Sequence, residues 1–136
     1  MRFLRQWLPV ILWAALILSA SNDTFSATQS GSWIRTLLGY ELPWGLHVIV
    51  RKAAHMFEYG VLALLAWRAH RTTFVPLAIV FAVASIDEWM QSRTLARTGT
   101  PWDVLLDVCA ATIAVAIAES VSRRVGGPAR GDESIS

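Results

Sequence analysis

Cys109 is the chain's single cysteine, which excludes an internal disulfide and any site built from paired cysteines. It lies within the last apolar run, where the role of a small buried hydrophobe is expected. Charge is scarce too. Only 16% of the 136 residues are Asp, Glu, Lys or Arg, against 54% hydrophobic, and mean hydropathy is +0.45. That balance excludes a soluble domain of ordinary surface and points to an integral membrane protein of one domain. Basic runs interleaved with aromatics are missing, so no nucleic acid is expected as a partner. The chain also lacks a phosphate-cradling glycine loop, a serine on a strand-to-helix elbow and any His at helical spacing from Cys109. No internal repeat of convincing period is present.

What remains is four apolar segments. The first, 8–20, is short, and its flanks (Arg2 and Arg5 before, small polar residues after) also suit a secretory signal. A span is the preferred reading, because Trp7 and Trp13 are bulky and Leu18 spoils the small-residue cleavage pattern. The second segment runs over 46–67. The third covers 74–91, with Thr72 or Thr73 as N-cap and Pro76 in the first turn, where its missing N–H costs little. The fourth covers 102–119, about 27 Å at 1.5 Å per residue, which suits a ~30 Å hydrocarbon core with flanking anchors. The expected fold is therefore all-α, a polytopic membrane protein with four transmembrane helices in an antiparallel bundle.

Seven of the twelve cationic residues (Arg2, Arg5, Arg68, Arg71, Arg123, Arg124 and Arg130) fall on one side of such a bundle, and Arg35, Arg51, Lys52, Arg93 and Arg97 on the other. The mild excess places both termini in the cytoplasm. Residues 21–40, rich in Ser, Thr, Gly, Asn and Gln, read as an outer loop with Trp44 as an interfacial anchor. Residues 126–136 read as a disordered cytoplasmic tail following a transmembrane domain of 1–125.

Three polar clusters interrupt this chain: Arg51, Lys52, His55, Glu58 and Tyr59; then Asp87, Glu88 and Gln91; then Asp103 and Asp107. Charges inside a span cost roughly 2.5–3.5 kcal/mol each on insertion scales. In the antiparallel arrangement all three clusters fall at the outer ends of their helices, and so at one depth. His47, Arg51, His55 and Glu58 are spaced four, four and three apart, one stripe on one face. Interfacial snorkelling remains open for His47 and Arg51, and a packed polar pair for His55 and Glu58. Asp87 and Glu88 are adjacent carboxylates that repel unless paired, protonated or cation-bound, with Arg93 and Arg97 as prospective partners. Asp103 follows Thr100 and Pro101 as a capping-box acid would. Asp107 has no such duty. It lies a turn deeper and is expected to face the bundle interior.

Together these residues can hold an anionic head group on cations and move protons through an imidazole oriented by a carboxylate. His55, Glu58 and Asp87 are the expected acid–base set. Arg51, Lys52, Tyr59, Glu88, Gln91, Arg97, Asp103 and Asp107 are the expected binding set. No metal and no cofactor is expected, since His55, Glu58, Asp87 and Glu88 match no metal-ligand spacing and stand near cations.

The sequence from Arg51 to Tyr59 resembles the R-K-x-x-H-F-x-E-Y motif of the VanZ-like family of small membrane proteins. Asp87, Glu88 and Gln91 are similar to its D-E-x-x-Q, and Arg97 with Asp103 to its R-x-x-x-x-x-D before the last span. The family takes its name from a member associated with resistance to the glycopeptide teicoplanin. The resemblance covers nearly the whole chain except the tail, and it implies a bacterial cytoplasmic membrane location and a cell-envelope role. Two positions depart from the family: Asp107 where Asn is usual, and Ala110 where Gly is usual. The first adds a charge; the second removes a close-packing glycine.

Three functions compete. One is a lipid or lipid-linked head-group site on the extracytoplasmic side, with acid–base turnover as an extension. Another is a non-enzymatic binding or transport module on the same residues, which for transport requires a homo-oligomer to enclose a path. The third is a helix-packing network, disfavoured because hydrogen bonds between spans contribute only about 0.6 kcal/mol each on average. Transport is weakened by the apolar inner halves of all four segments, which leaves the head-group site ahead.

Overall fold

The computed structural model describes residues 2–20, 36, 44–93 and 100–125, without the side chains of residues 2, 44, 47 and 51. The expected outer loop apart from Thr36, with Arg97 and the tail at 126–136, therefore lies outside the described residues. Four long helices carry the chain: α1, Arg2–Ala20; α2, Trp44–Ala69; α3, Phe74–Ser92; and α4, Pro101–Val125. α2 and α3 have the expected extent or slightly more, and α4 continues to Val125, past the expected end at 119. α1 begins six residues earlier than the apolar pattern suggests, because an isolated polar turn continues a helix as readily as an apolar one.

Among the described residues, three helical stretches are long and apolar enough to cross a membrane: Phe3–Ala20, Phe74–Ser92 and Pro101–Val125. α2, at 26 residues, has the length. It holds Lys52, His55 and Glu58, and this polarity keeps it out of that set. Lipid-facing surface is evident elsewhere: Leu12 is 61% exposed, Phe81 59% and Ile117 59%, as apolar side chains are when their solvent is hydrocarbon. Cys109, expected to be buried, is exposed on the same kind of surface.

The core runs along the helix interfaces. Tyr59, Leu62, Ala63 and Ala66 of α2 pack with Val80, Val83 and Ala84 of α3, Ala111 and Val115 of α4, and Val10 and Ile17 of α1. Alanines at these contacts let backbones approach closely, which is how helices associate when lipid is as apolar as leucine. A methyl group built on Gly60 would meet Ala114 Cβ at 4.0 Å, ordinary contact.

Proline and turn chemistry set the ends. Pro101 opens α4 and Pro76 sits in the first turn of α3, where backbone N–H groups have no intrahelical acceptor. Between α2 and α3, the His70 N–H bonds Ala66 O at 2.8 Å and the Thr72 N–H bonds His70 O at 2.6 Å, a tight reversal that brings Tyr59 of α2 against Asp87 of α3. Thr73 occupies the N-cap position, but its backbone is already α-helical and its hydroxyl caps nothing. It donates instead to Glu119 near the end of α4, and Glu119 also receives Arg123 at 3.2 Å. The start of α3 is thereby tied to the end of α4.

Candidate functional site

At the opposite end of the helices the three polar clusters come together. Asp87, one turn from the end of α3, is 2% exposed. Its Oδ2 accepts the Tyr59 hydroxyl at 3.0 Å and the Gln91 amide at 3.0 Å, and His55 Nδ1 stands 4.0 Å from the same oxygen. The last distance is too long for a hydrogen bond and suits an ion pair once the imidazole is protonated. Asp87 Oδ1 is buried and has no hydrogen-bond partner among the described residues. The imidazole and the Tyr59 ring lie nearly parallel, with centroids 6.3 Å apart and 15° between planes.

The four-residue spacing of Asp87 and Gln91 puts them on one face of α3, and the same spacing aligns His55 with Tyr59 on α2. Of the two acids expected to orient His55, Asp87 is the one set against its Nδ1. Glu58 contributes through its backbone: the Trp13 indole donates to its carbonyl oxygen at 2.9 Å, fastening α1 to α2 beside the site.

Lys52 Nζ donates to Asp103 Oδ1 at 2.6 Å, joining α2 to the first turn of α4. The Thr100 hydroxyl donates to Asp103 Oδ2 at 3.0 Å, while the Asp103 N–H bonds Thr100 O at 2.9 Å. The capping-box residues are therefore in place, with the Asp103 carboxylate accepting from Lys52 and from the Thr100 hydroxyl. Arg93 does not pair with the α3 acids as expected. Its guanidinium lies 4.0 Å over the Trp89 ring, because Trp89 offers a π-face four residues back on the exposed side.

A cleft opens among these groups. Lys52, His55 and Met56 line it from α2, Glu88 and Gln91 from α3, and Asp103, Leu106 and Asp107 from α4. Its cavity volume of about 30 Å³ is room for two or three water molecules. Asp107 is 6% exposed and faces the cleft, as its depth on α4 predicted. Tyr59 and Asp87 stand behind the wall, and the Arg51 side chain and Arg97 lie outside the described residues. Met56, Leu106 and Trp13 were not anticipated at the site, and Thr100 was anticipated only as an N-cap. The first three are indistinguishable in sequence from ordinary span residues, whereas Thr100 carried a signal as the head of the capping pattern.

Among the described residues no group of three or more His, Cys, Asp or Glu is arranged to hold a metal ion. Chemically, the arrangement offers an imidazole at the cleft backed by a buried carboxylate, an ammonium at its mouth, and acids along its inner wall.

The family model described as VanZ/LLP1 matches residues 6–122, all three polar clusters included. No curated protein and no solved structure matches the chain.

Proposed function

The chain belongs to the VanZ/LLP1 family, and we propose that it is a cell-envelope protein engaging an anionic lipid or lipid-linked head group. In this reading α2 crosses the bilayer with the other three helices as an antiparallel four-span bundle of the bacterial cytoplasmic membrane. Both termini are cytoplasmic and the cleft lies at the extracytoplasmic end. The supporting observation is the convergence of Tyr59, Gln91 and His55 on Asp87, with His55 the titratable group of the three that lines the cleft.

The roles follow from chemistry. Lys52, its side chain 43% exposed, is the cation at the mouth, and an incoming phosphate or carboxylate competes with Asp103 for it. Arg51 and Arg97 supply further cations from the sequence motifs. His55 takes or gives a proton, Asp87 stabilises its protonated form, and Tyr59 and Gln91 hold Asp87 in place. Glu58 supports this end of α2 through the Trp13 contact.

The test is a comparison of total lipid extracts from cells lacking the protein, complemented with wild type, His55→Ala or Lys52→Ala. Turnover requires a lipid species whose amount changes with wild type and not with His55→Ala, although that variant still inserts and binds. A site that only binds predicts no product, and Lys52→Ala at least as damaging as His55→Ala. A correctly inserted His55→Ala, Asp87→Asn double variant with full activity would return the network to a packing role.

A further inference from the structure

Asp107 belongs to the expected binding set, but the roles given above leave its particular chemistry unassigned. Its carboxylate is on a residue 6% exposed and faces the cleft, yet it makes no hydrogen bond or ion pair among the described residues. The same wall carries Glu88 and Asp103, and Lys52 is already bonded to Asp103 at 2.6 Å. A buried carboxylate beside like charges is stable only with a proton or a cation against it.

The cavity decides between those occupants. A proton needs no space, but about 30 Å³ stands open beside Asp107, the room of two or three waters and too little for a phosphate. An ammonium group is of that size. It carries three N–H donors, and Asp107 offers it two carboxylate oxygens, with the Glu88 and Gln91 side chains lining the same space from α3. Coordination of a metal is not supported by the donor arrangement among the described residues. Met56 and Leu106 place apolar side chains at the same cleft, one from α2 and one from α4, as a ligand with a hydrocarbon part requires.

We infer that Asp107 is the centre of an ammonium subsite, and that the cleft takes a primary amine borne by a phosphate-containing head group. The inference rests on the head-group reading and extends it: phosphate stays at the mouth with Lys52, and only the ammonium enters. Full methylation of the nitrogen removes every donor and enlarges the group beyond the cavity.

The full chain in lipid nanodiscs tests this by native mass spectrometry of retained lipid. The probes at equal mole fraction are phosphatidylethanolamine, its mono- and dimethyl derivatives, phosphatidylcholine and phosphatidylglycerol. Wild type is expected to retain phosphatidylethanolamine about tenfold over phosphatidylcholine, equivalent to roughly 1.4 kcal/mol, with retention falling at each methylation. Asp107→Asn is expected to bring that ratio close to one. Displacement by free ethanolamine supports the subsite with a water-borne amine as its source; resistance to it supports the lipid as source. Equal retention of all five lipids by wild type overturns the subsite and leaves the head-group reading standing, a result that needs no variant to fold. A preference that persists in folded Asp107→Asn overturns the role of Asp107. Retention of no phospholipid at all overturns the head-group reading itself, and the subsite with it.

Discussion

The Tyr59 hydroxyl donates to Asp87 Oδ2 at 3.0 Å with both residues essentially inaccessible, at 0% and 2% exposure. This is the contact that joins α2 to α3 at the depth of the cleft. Without it Asp87 would keep the Gln91 amide on its own helix and lose its hydrogen bond to α2.

Tyr59→Phe is therefore expected to destabilise the protein by about 1–3 kcal/mol, the usual effect of removing a buried donor from a carboxylate. Thermal unfolding in detergent measures it. Gly60→Ala, one residue on, is the control: its methyl has space beside Ala114 Cβ at 4.0 Å, and it should not lower the transition. A Tyr59→Phe protein as stable as wild type would show that the bond adds nothing to packing.

The Lys52–Asp103 pair is shorter, at 2.6 Å, but its side chains are 43% and 33% exposed. Solvent screening and side-chain entropy limit such a pair to roughly 0.2–1 kcal/mol. A double-mutant cycle with Lys52→Ala and Asp103→Ala should return a coupling in that range. A coupling several times larger would show that the pair is enclosed in the bilayer-embedded protein.

Topology is open to cysteine labelling. The exposed Cys109 is first replaced, as Cys109→Ala. Ser30→Cys and Thr98→Cys are then expected to react with an impermeant reagent from outside, and Gly126→Cys only after permeabilisation. Strong outside labelling at position 126 would reverse the assignment of the cleft to the extracytoplasmic face.

Trp13→Phe removes the indole donor to Glu58 O and keeps an aromatic ring. A loss of about 0.5–1.5 kcal/mol is expected, with α1 still present in the mature chain by intact mass. A mature protein beginning after residue 20 would instead identify α1 as a cleaved signal.

The helices were legible in the sequence because hydropathy alone sets them: 74–91 and 102–119 fall inside α3 and α4. The crossing status of α2 was less legible, since the charges that mark the site also lower the hydropathy of the helix that carries it. For the site, spacing was enough to align His55 with Tyr59 and Asp87 with Gln91, and depth was enough to place Asp107. Spacing could not choose between Glu58 and Asp87 as the acid beside His55, because both satisfy helical periodicity and the choice depends on rotation of α3 against α2. Nor could it foresee Arg93 over Trp89, where a cation found an exposed ring nearer than a buried carboxylate.

The Trp13 contact also bears on how the bundle is assembled. Its acceptor lies 45 residues later in the chain, and at 5–20 residues per second the ribosome needs roughly 2–9 s to supply it. Until then the indole N–H has to use another acceptor, such as water or a lipid oxygen at the interface. Docking of the N-terminal helix through this contact therefore waits on the segment that carries His55.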